Sequence, residues 1–268
     1  MNLKTLTNKI IWITGASSGI GEALAYALAG EGSKLVLSSR NEAELLRVKN
    51  NCKTSSNDIL LLPFDLQETS GAGELAKKVI EKFGRIDILI NNGGISQRSY
   101  TIDTSTEIDR KIMEVNFFGT IALAKAVLPY MIKEKSGHIV VVSSIAGKFG
   151  FYLRSAYSAA KHALHGFFES LRMEVHKNNI QVLIVCPEKV KTNISLNALT
   201  AKGTPHGIMD KSHEQGVSAE ECAHQIIKAI KNNKEEIYIG HFNGQLALFI
   251  KRIFPGLFSK LIRKQKQE

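Results

Sequence analysis

The chain has 268 residues, with 35 Lys or Arg against 25 Asp or Glu, so its formal net charge at pH 7 is +10. Hydrophobic residues make up 44% and charged residues 22% of the sequence. This ordinary globular usage excludes a disordered, collagenous or coiled-coil chain, and the length suits one large domain or two small ones.

Membrane, secretory and disulfide-rich classes are also disfavoured. No apolar run reaches the roughly 18 uncharged residues of a membrane-spanning helix, and the N-terminal residues lack a signal-peptide pattern. The cysteines Cys52, Cys186 and Cys222 are widely spaced and odd in number, which fits neither a disulfide framework nor a zinc site. We therefore expect a cytoplasmic protein without a metal ion.

The positive charge is concentrated at the C-terminal end. Six basic residues lie from Lys251 onwards, opposed there only by Glu268, and they account for half of the net charge. The rest of the chain is only modestly basic, so the charge raises a question about this tail rather than indicating a nucleic-acid partner. We expect no nucleic acid to bind.

Short β-rich runs alternate along the chain with helical patterns. Solid apolar runs such as Ile139–Val142 are typical of strands buried on both faces. Repeated alternation predicts an α/β fold with a single Rossmann-type, doubly wound parallel sheet of about seven strands and helices on both faces. The predicted strands are 9–14, 34–38, 59–63, 86–90, 138–142, 180–185 and, more weakly, 236–239; the predicted helices are 19–31, 41–52, 70–83, 105–134, 155–178 and 218–232.

Two segments fall outside this alternation. Residues 193–216 are polar, with little periodicity, and precede a helix that Ser218 and Glu221 mark with a capping box. Residues 243–268 form a basic amphipathic extension to a domain of residues 1–242. The extension has three open interpretations: peripheral contact with a membrane surface, an arm on a partner subunit, or a C-terminal helix that covers the core.

The first predicted strand runs directly into a glycine-rich loop and then a helix. Glycines allow a sharp turn and a close approach of the backbone to a pyrophosphate, and a helix N-terminus offers free N–H groups to the phosphates. The alternative is an ordinary glycine-rich turn. The position between strand and helix favours a dinucleotide site made by Gly15, Ser17, Ser18, Gly19, Ile20 and Gly21.

The spacing of this loop, Gly-x-x-x-Gly-x-Gly, resembles the classical type of the short-chain dehydrogenase/reductase (SDR) family. The resemblance extends over about residues 7–240 and implies that residues 1–242 form an NADP-binding catalytic domain whose loop at about 193–216 covers the substrate. It also implies further cofactor contacts by Asp65, Leu66, Asn92, Gly93, Pro187, Val190 and Thr192.

The end of the second strand bears on the choice of cofactor. NAD-binding folds place an acidic residue there, next to the ribose hydroxyls, whereas this chain has Ser39 and Arg40. A guanidinium suits a 2′-phosphate, so NADP (NADPH) is predicted over NAD. The alternative is a solvated surface arginine.

Four residues match the catalytic tetrad of the family. Tyr157 and Lys161 are four residues apart, so they share one face of a helix, and a nearby ammonium lowers the pKa of a phenol. Ser144 ends the fifth strand 13 residues before Tyr157, as in the family. Asn116 is unfavourable within a helix and predicts a kink or a bound water. The resemblance assigns these four residues to catalysis, with Tyr157 and Lys161 also contacting the cofactor.

One residue departs from the family pattern near the predicted nicotinamide site. Glu188 stands where the family has glycine. If that position needs a positive φ, we expect backbone strain of roughly 1 kcal/mol or more.

The predicted function is that of an NADP(H)-dependent oxidoreductase, which interconverts a carbonyl and an alcohol by hydride transfer with Tyr157 as acid and base. Two alternatives stay open: a 3-oxoacyl-carrier-protein reductase, and a dinucleotide-binding regulator without turnover. An apolar lid of Leu196, Leu199, Ile208 and Met209, with Phe149 and Tyr152 beside it, predicts a fairly apolar small-molecule substrate.

The resemblance also implies a homodimer or homotetramer, because the family associates through its two long helices. The matching segments are 105–134 and 155–178, and Phe167, Phe168 and Leu171 are the predicted interface residues.

Overall fold

The computed structural model describes residues 5–210 and 214–264. Residues 211–213 of the predicted loop and 265–268 of the predicted tail lie outside them. The strands pair in parallel in the order β3-β2-β1-β4-β5-β6-β7, which confirms the predicted doubly wound sheet. The strands are β1 Ile10–Thr14, β2 Lys34–Ser38, β3 Ile59–Leu61, β4 Ile88–Asn91, β5 Gly137–Val142, β6 Ile180–Pro187 and β7 Glu236–Ile239.

Helices flank the sheet at close to the predicted positions. The Ser218 hydroxyl accepts a hydrogen bond from the Glu221 N–H at 3.1 Å, so the predicted cap is present. The helices are α1 Gly19–Gly30, α2 Glu42–Asn51, α3 Ala72–Phe83, α4 Thr106–Met113, α5 Gly119–Glu134, α6 Ser155–Val175, α7 Ala219–Lys231, α8 Phe242–Ile253 and α9 Pro255–Ile262.

Alternating side chains of the strands build two apolar layers. On one face of the sheet Ile11 and Ile13 pack with residues of α1 and α7, and on the other Trp12 packs with residues of α3, α5 and α6. Phe168 and Leu171 belong to this second layer and are buried within the single chain. The prediction that they lie at a subunit interface is therefore wrong.

The predicted helix 105–134 is interrupted where Asn116 lies. A π turn, Glu114–Phe118, joins α4 to α5, and such turns are frequent at functional sites. By length and composition Thr106–Glu134 is apolar enough to cross a membrane, with a mean hydropathy of 1.5 in an 18-residue window. However, Leu123, Val127 and Met131 are fully buried in the core.

The basic tail folds as two helices, α8 and α9, against the body of the protein. The Phe258 ring packs on the Phe149 ring with centroids 4.9 Å apart, and the Lys251 ammonium donates to the Lys148 carbonyl. Pro255 begins α9, where its fixed φ and missing N–H are tolerated. The tail therefore covers part of the carboxyl edge of the sheet.

Candidate active site

A cavity of about 1700 Å³ lies at the carboxyl ends of the strands, which is where parallel sheets bind ligands. Gly21 is not part of its wall and lies behind Gly15. The wall contains all the other residues predicted to be catalytic or to contact the cofactor: Gly15, Ser17, Ser18, Gly19, Ile20, Ser39, Arg40, Asp65, Leu66, Asn92, Gly93, Asn116, Ser144, Tyr157, Lys161, Pro187, Val190 and Thr192.

The glycine-rich loop has the backbone shape that a pyrophosphate requires. Gly15 and Gly19 have φ of +64° and +55°, and a Cβ on Gly21 would lie 2.2 Å from the Gly15 carbonyl oxygen. Ser18 precedes α1 without capping it through its side chain in the part of the chain that is described. The first N–H groups of α1 therefore remain available to an anion.

A polar brace holds this loop against the end of β4. The Thr14 hydroxyl accepts hydrogen bonds from the Asn92 and Gly93 N–H groups at 3.0 and 2.9 Å, and the Asn92 amide donates to the Thr14 carbonyl at 3.0 Å. A Cβ on Gly93 would lie 2.7 Å from Leu66 Cδ1. Leu66 thus fills the space that a side-chain methyl group at position 93 would occupy.

Charged residues surround the predicted ribose end of the cavity. Arg40 is exposed and lines the wall, as does Glu42 at the start of α2. Glu44 instead pairs with Arg47 at 2.7 Å.

Sequence reasoning missed the role of Arg47. Its guanidinium donates to the Ser17 carbonyl of the glycine-rich loop at 3.2 Å and to the Glu22 carboxylate at 2.6 Å. Only the spacing of Glu44 and Arg47 on one helix face could have drawn attention to it.

Three members of the predicted tetrad are fixed by their surroundings. The Asn116 amide donates to the Ile95 and Ile112 carbonyls at 2.9 Å each. Asn116 lies in the π turn, and the Ile112 carbonyl four residues earlier is accessible to its side chain. The Lys161 ammonium donates to the Val142 carbonyl at 2.8 Å, and burial lowers the pKa of Lys161 to about 8. The Ser144 hydroxyl accepts from the Ala146 N–H at 3.1 Å.

The fourth member, Tyr157, is buried at the start of α6. Burial raises the pKa of its phenol, while a hydrogen bond with Ser144 and the charges of Arg154 and Arg98 act to lower that pKa. The Lys161 ammonium lies 5.8 Å from the centroid of the phenol ring. The sequence analysis considered Lys161 alone as the cation beside this phenol and did not identify the two arginines.

Glu188 has a structural role that differs from the expected strain. It is not among the described residues with positive φ. Its carboxylate accepts hydrogen bonds from the Tyr238 hydroxyl at 2.5 Å and the His241 N–H at 3.1 Å. Glu188 therefore ties the end of β6 to the corner between β7 and α8.

The predicted apolar lid is largely wrong. Of its four residues Leu199 lines the cavity, whereas Ile208 is 63% exposed and neither Leu196 nor Met209 forms part of the wall. Phe149 and Tyr152 line the cavity as predicted. The remaining wall includes residues of the tail that the sequence analysis did not assign to the site: Asn243, Gly244, Ala247, Ile262 and Arg263.

A group of possible metal ligands lies near α6, beside β6 and β7. Ligand atoms of His165, Cys186 and Glu236 lie within 4.8 Å of one another, but the Glu236 carboxylate is paired with Lys148 at 2.7 Å. Burial raises the pKa of Cys186 to about 12, which disfavours the thiolate that a metal needs. The absence of a metal site stays a prediction.

Comparison with known proteins identifies the family. A model described as "short chain dehydrogenase" matches residues 9–202. Dehydrogenase/reductase SDR family member 7B of Mus musculus is 39% identical over 267 residues, covering 98% of this chain and 83% of that protein. Dehydrogenase/reductase SDR family member 7 of Homo sapiens is 43% identical over 259 residues, covering 93% and 75%.

Solved structures agree in fold. A short-chain dehydrogenase from Streptomyces avermitilis has a TM-score of 0.82 at 27% identity and covers 97% of this chain and 98% of its own. An SDR protein from Burkholderia phymatum in complex with NAD has a TM-score of 0.84 at 23% identity, covering 94% and 95%. The family model and the two SDR relatives, together with the glycine-rich loop, show that the chain is an oxidoreductase of the classical short-chain dehydrogenase/reductase family.

Proposed function

We propose that the protein is an NADP(H)-dependent oxidoreductase that interconverts a carbonyl and an alcohol, with Tyr157 as acid and base. The observation that carries this proposal is convergence: Asn116, Ser144, Tyr157 and Lys161 come from three separate parts of the fold and line one cavity with the glycine-rich loop. A nicotinamide dinucleotide, the cofactor class of the family, supplies the hydride when bound.

Each residue of the tetrad has a role that its contacts support. Ser144 donates a hydrogen bond to the carbonyl oxygen of the substrate, and Tyr157 donates a proton to that oxygen in the direction of reduction. Lys161 is held by the Val142 carbonyl and keeps further N–H donors for ribose hydroxyls. The Asn116 amide fixes the Ile95 backbone and stabilises the π turn beside Lys161.

The preference for NADPH rests on Arg40. Its guanidinium lies at the end of β2 on the cavity wall, where it can pair with a 2′-phosphate. We expect Arg40→Ser to lower the ratio of kcat/KM with NADPH to that with NADH by about tenfold or more. Lys133→Ser, an exposed cation at the far end of α5, is the matched control. An unchanged ratio in Arg40→Ser contradicts the assignment.

The substrate is proposed to be a fairly apolar small molecule. Phe149, Tyr152 and Leu199 line the cavity on the side of Tyr157. A turnover screen should compare benzil, simple aldehydes, and acetoacetyl thioesters of coenzyme A and of acyl carrier protein, each with NADPH and NADH. Reduction of benzil or of the aldehydes supports the proposal, and selective reduction of the carrier-protein thioester supports the alternative reductase. Tight NADPH binding with no turnover across the panel contradicts the proposed function and favours a regulator.

The outer faces of α8 and α9 support a second proposal, peripheral contact with a membrane. Large apolar side chains are exposed along both helices, and basic residues flank them. An apolar face bordered by cations suits the surface of an anionic bilayer. The exposed apolar residues are Phe242, Leu246, Phe249, Ile253, Phe254, Leu257 and Leu261, and the flanking cations include Arg252 and Lys260.

Vesicle binding tests this contact. We expect the protein to sediment with phosphatidylserine vesicles, and the double variant Phe249→Ser/Phe254→Ser to bind at least tenfold more weakly. Ile102→Ser removes an apolar residue that is 91% exposed outside this pair of helices and serves as the control. Equal binding of the double variant and the control would contradict a membrane contact through α8 and α9.

We also propose a homodimer or homotetramer that associates through the outer faces of α4, α5 and α6. Phe118 and Met173 are exposed there, and half-buried Phe167 packs on Phe117 with centroids 6.1 Å apart. Sedimentation analysis of Phe118→Glu should show dissociation to smaller species, and an unchanged size distribution contradicts this interface.

A further inference from the structure

A cluster of three charged side chains, two buried and one half-buried, lies beside Tyr157 and comes from segments that are far apart in sequence. Arg98 follows β4, Arg154 immediately precedes α6, and Asp210 belongs to the loop after β6. Their side chains are 3%, 17% and 6% exposed. None of the three belongs to the tetrad or to the glycine-rich loop.

The carboxylate of Asp210 lies between the two guanidinium groups. Its Oδ2 accepts hydrogen bonds from Arg98 Nη2 and from Arg154 Nη2, the latter at 2.8 Å, and Arg98 Nε lies 3.2 Å from the same oxygen. Arg98 Nη1 also donates to the Gln97 carbonyl at 2.6 Å and to the Ser96 hydroxyl at 2.9 Å. Removing Asp210 from this group leaves two guanidinium charges uncompensated, whereas removing one arginine leaves the other paired with the carboxylate.

The segment that carries Arg98 also holds the backbone of Tyr157. Gln97 is fully buried, and its Oε1 accepts hydrogen bonds from the Ala156 and Tyr157 N–H groups at 2.9 and 3.3 Å. It thereby satisfies donors in the first turn of α6, which have no partner within the helix.

Backbone bonds join the same segment to the loop after β6. The Arg98 N–H donates to the Leu199 carbonyl at 2.8 Å, and the Leu199 N–H donates to the Ser96 carbonyl at 2.9 Å. The loop, this segment and the start of α6 therefore form one connected unit around the phenol.

We propose that Asp210 is a positioning residue that latches the loop after β6 onto Arg98 and Arg154 and thereby sets the charge around the Tyr157 phenol. The inference rests on the proposed function in so far as Tyr157 is the acid and base. Docking of Asp210 offsets the two guanidinium charges, so the strength of Tyr157 as a proton donor depends on whether the loop is docked.

Because Asp210 and Arg154 carry opposite charges, removing one or the other should shift the pKa of the Tyr157 phenol in opposite directions. The groups that act on the phenol or lie against its ring are the Ser144 hydroxyl and the cations Arg154, Arg98 and Lys161. Further along the same cavity wall lie the basic residues Arg40, Lys111, Lys189, His241 and Arg263 and the acids Glu42, Asp65 and Glu188. Each cation favours the phenolate, whereas the Asp210 carboxylate opposes it. Removing Asp210 should therefore make the phenol more acidic, and removing Arg154 should make it less acidic.

The experiment follows ionisation of the phenol directly. Tyrosine is replaced biosynthetically by fluorotyrosine, whose more acidic phenol titrates where the protein stays folded, and the Tyr157 signal in the fluorine NMR spectrum is assigned by its loss in Tyr157→Phe. We expect Asp210→Asn to lower the titration midpoint and Arg154→Gln to raise it, each by about half to one pH unit. Arg154→Lys keeps the charge and should restore the wild-type midpoint.

Shifts of the same sign in Asp210→Asn and Arg154→Gln, or midpoints that do not move, overturn the latch. If Asp210→Asn fails to fold, as judged by circular dichroism, the pair Arg154→Gln and Arg154→Lys decides alone, since equal midpoints in the two contradict the proposal. The titration needs no substrate. Turnover by Tyr157→Phe would contradict the proposed function, and unmoved midpoints would contradict only the latch.

Discussion

The two sides of the cavity are built in different ways. On the cofactor side the backbone of one short loop forms the site, through the positive φ of Gly15 and Gly19 and the close approach of Gly21 to the Gly15 carbonyl. On the substrate side the site depends on side-chain contacts across long stretches of sequence, such as the pair of Arg98 and Asp210, which are 112 residues apart. The cofactor side is therefore specified by local sequence, and the substrate side by tertiary packing.

A large effect on cofactor binding is expected where the cofactor side leaves no room for a side chain. In Gly21→Ala the new methyl group would lie 2.2 Å from the Gly15 carbonyl oxygen, so the glycine-rich loop must move. We expect NADPH affinity to fall by about 100-fold or more, together with a loss of stability of about 1–3 kcal/mol. NADPH fluorescence titration and thermal unfolding measure the two effects.

Gly30→Ala is the matched control for that change, because it lies in the same helix and an added Cβ meets no atom within 4 Å. This variant should keep full affinity. Equal behaviour of the two variants would mean that the cofactor side does not depend on the close backbone approach described above.

A buried aromatic contact holds the C-terminal helix α9 against the substrate side of the cavity. Phe258 is 9% exposed and packs on Phe149, so Phe258→Ala should destabilise the docked state of α9 by roughly 3–5 kcal/mol. Phe254→Ala removes a ring that is 54% exposed and should change little. Hydrogen exchange in α9 distinguishes the two, and similar protection in both variants would show that the tail is not held by Phe258.

These contrasts explain what could be predicted from the sequence. The strands, the glycine-rich loop and the spacing of Ser144, Tyr157 and Lys161 are local patterns, and the structure places them as expected. Strand β3 ends at Leu61, earlier than predicted, although the Leu62 and Phe64 N–H groups still donate to the Leu37 and Ser39 carbonyls at 3.0 Å each.

The failures all concern contacts that no local pattern encodes. The roles of Arg47, Asp210 and the tail residues depend on which distant segments meet, and the apolar lid was predicted from composition without knowing which side chains turn inward. Glu188 shows the same limitation, because its partner Tyr238 lies 50 residues further along the chain.

A smaller effect is expected from acid, which should destabilise the central sheet. The carboxyl ends of its strands carry both the cofactor side and the substrate side of the cavity. His138, the second residue of β5, is fully buried, and neither ring nitrogen has a hydrogen-bond partner among the described residues. Burial lowers the pKa of His138 to about 4, below the value of about 6.5 for an unfolded chain. As the pH falls from 6.5 towards 4, the unfolded state takes up a proton that the folded state does not, so stability declines by about 3 kcal/mol.

Urea unfolding at a series of pH values measures this loss. His138→Gln should flatten the pH dependence, whereas His224→Gln, which replaces an exposed histidine, should leave it unchanged. An identical slope in wild type and His138→Gln would mean that this buried imidazole does not set the acid stability of the sheet.

The central claim, that the tetrad on this cavity performs carbonyl chemistry with Tyr157 as the proton donor, is tested most directly by Tyr157→Phe. Reduction of the best ketone from the substrate screen should fall by a factor of about 100 to 10,000, while NADPH affinity stays within about twofold, because the glycine-rich loop and Arg40 are untouched. Wild-type turnover in Tyr157→Phe would contradict the account.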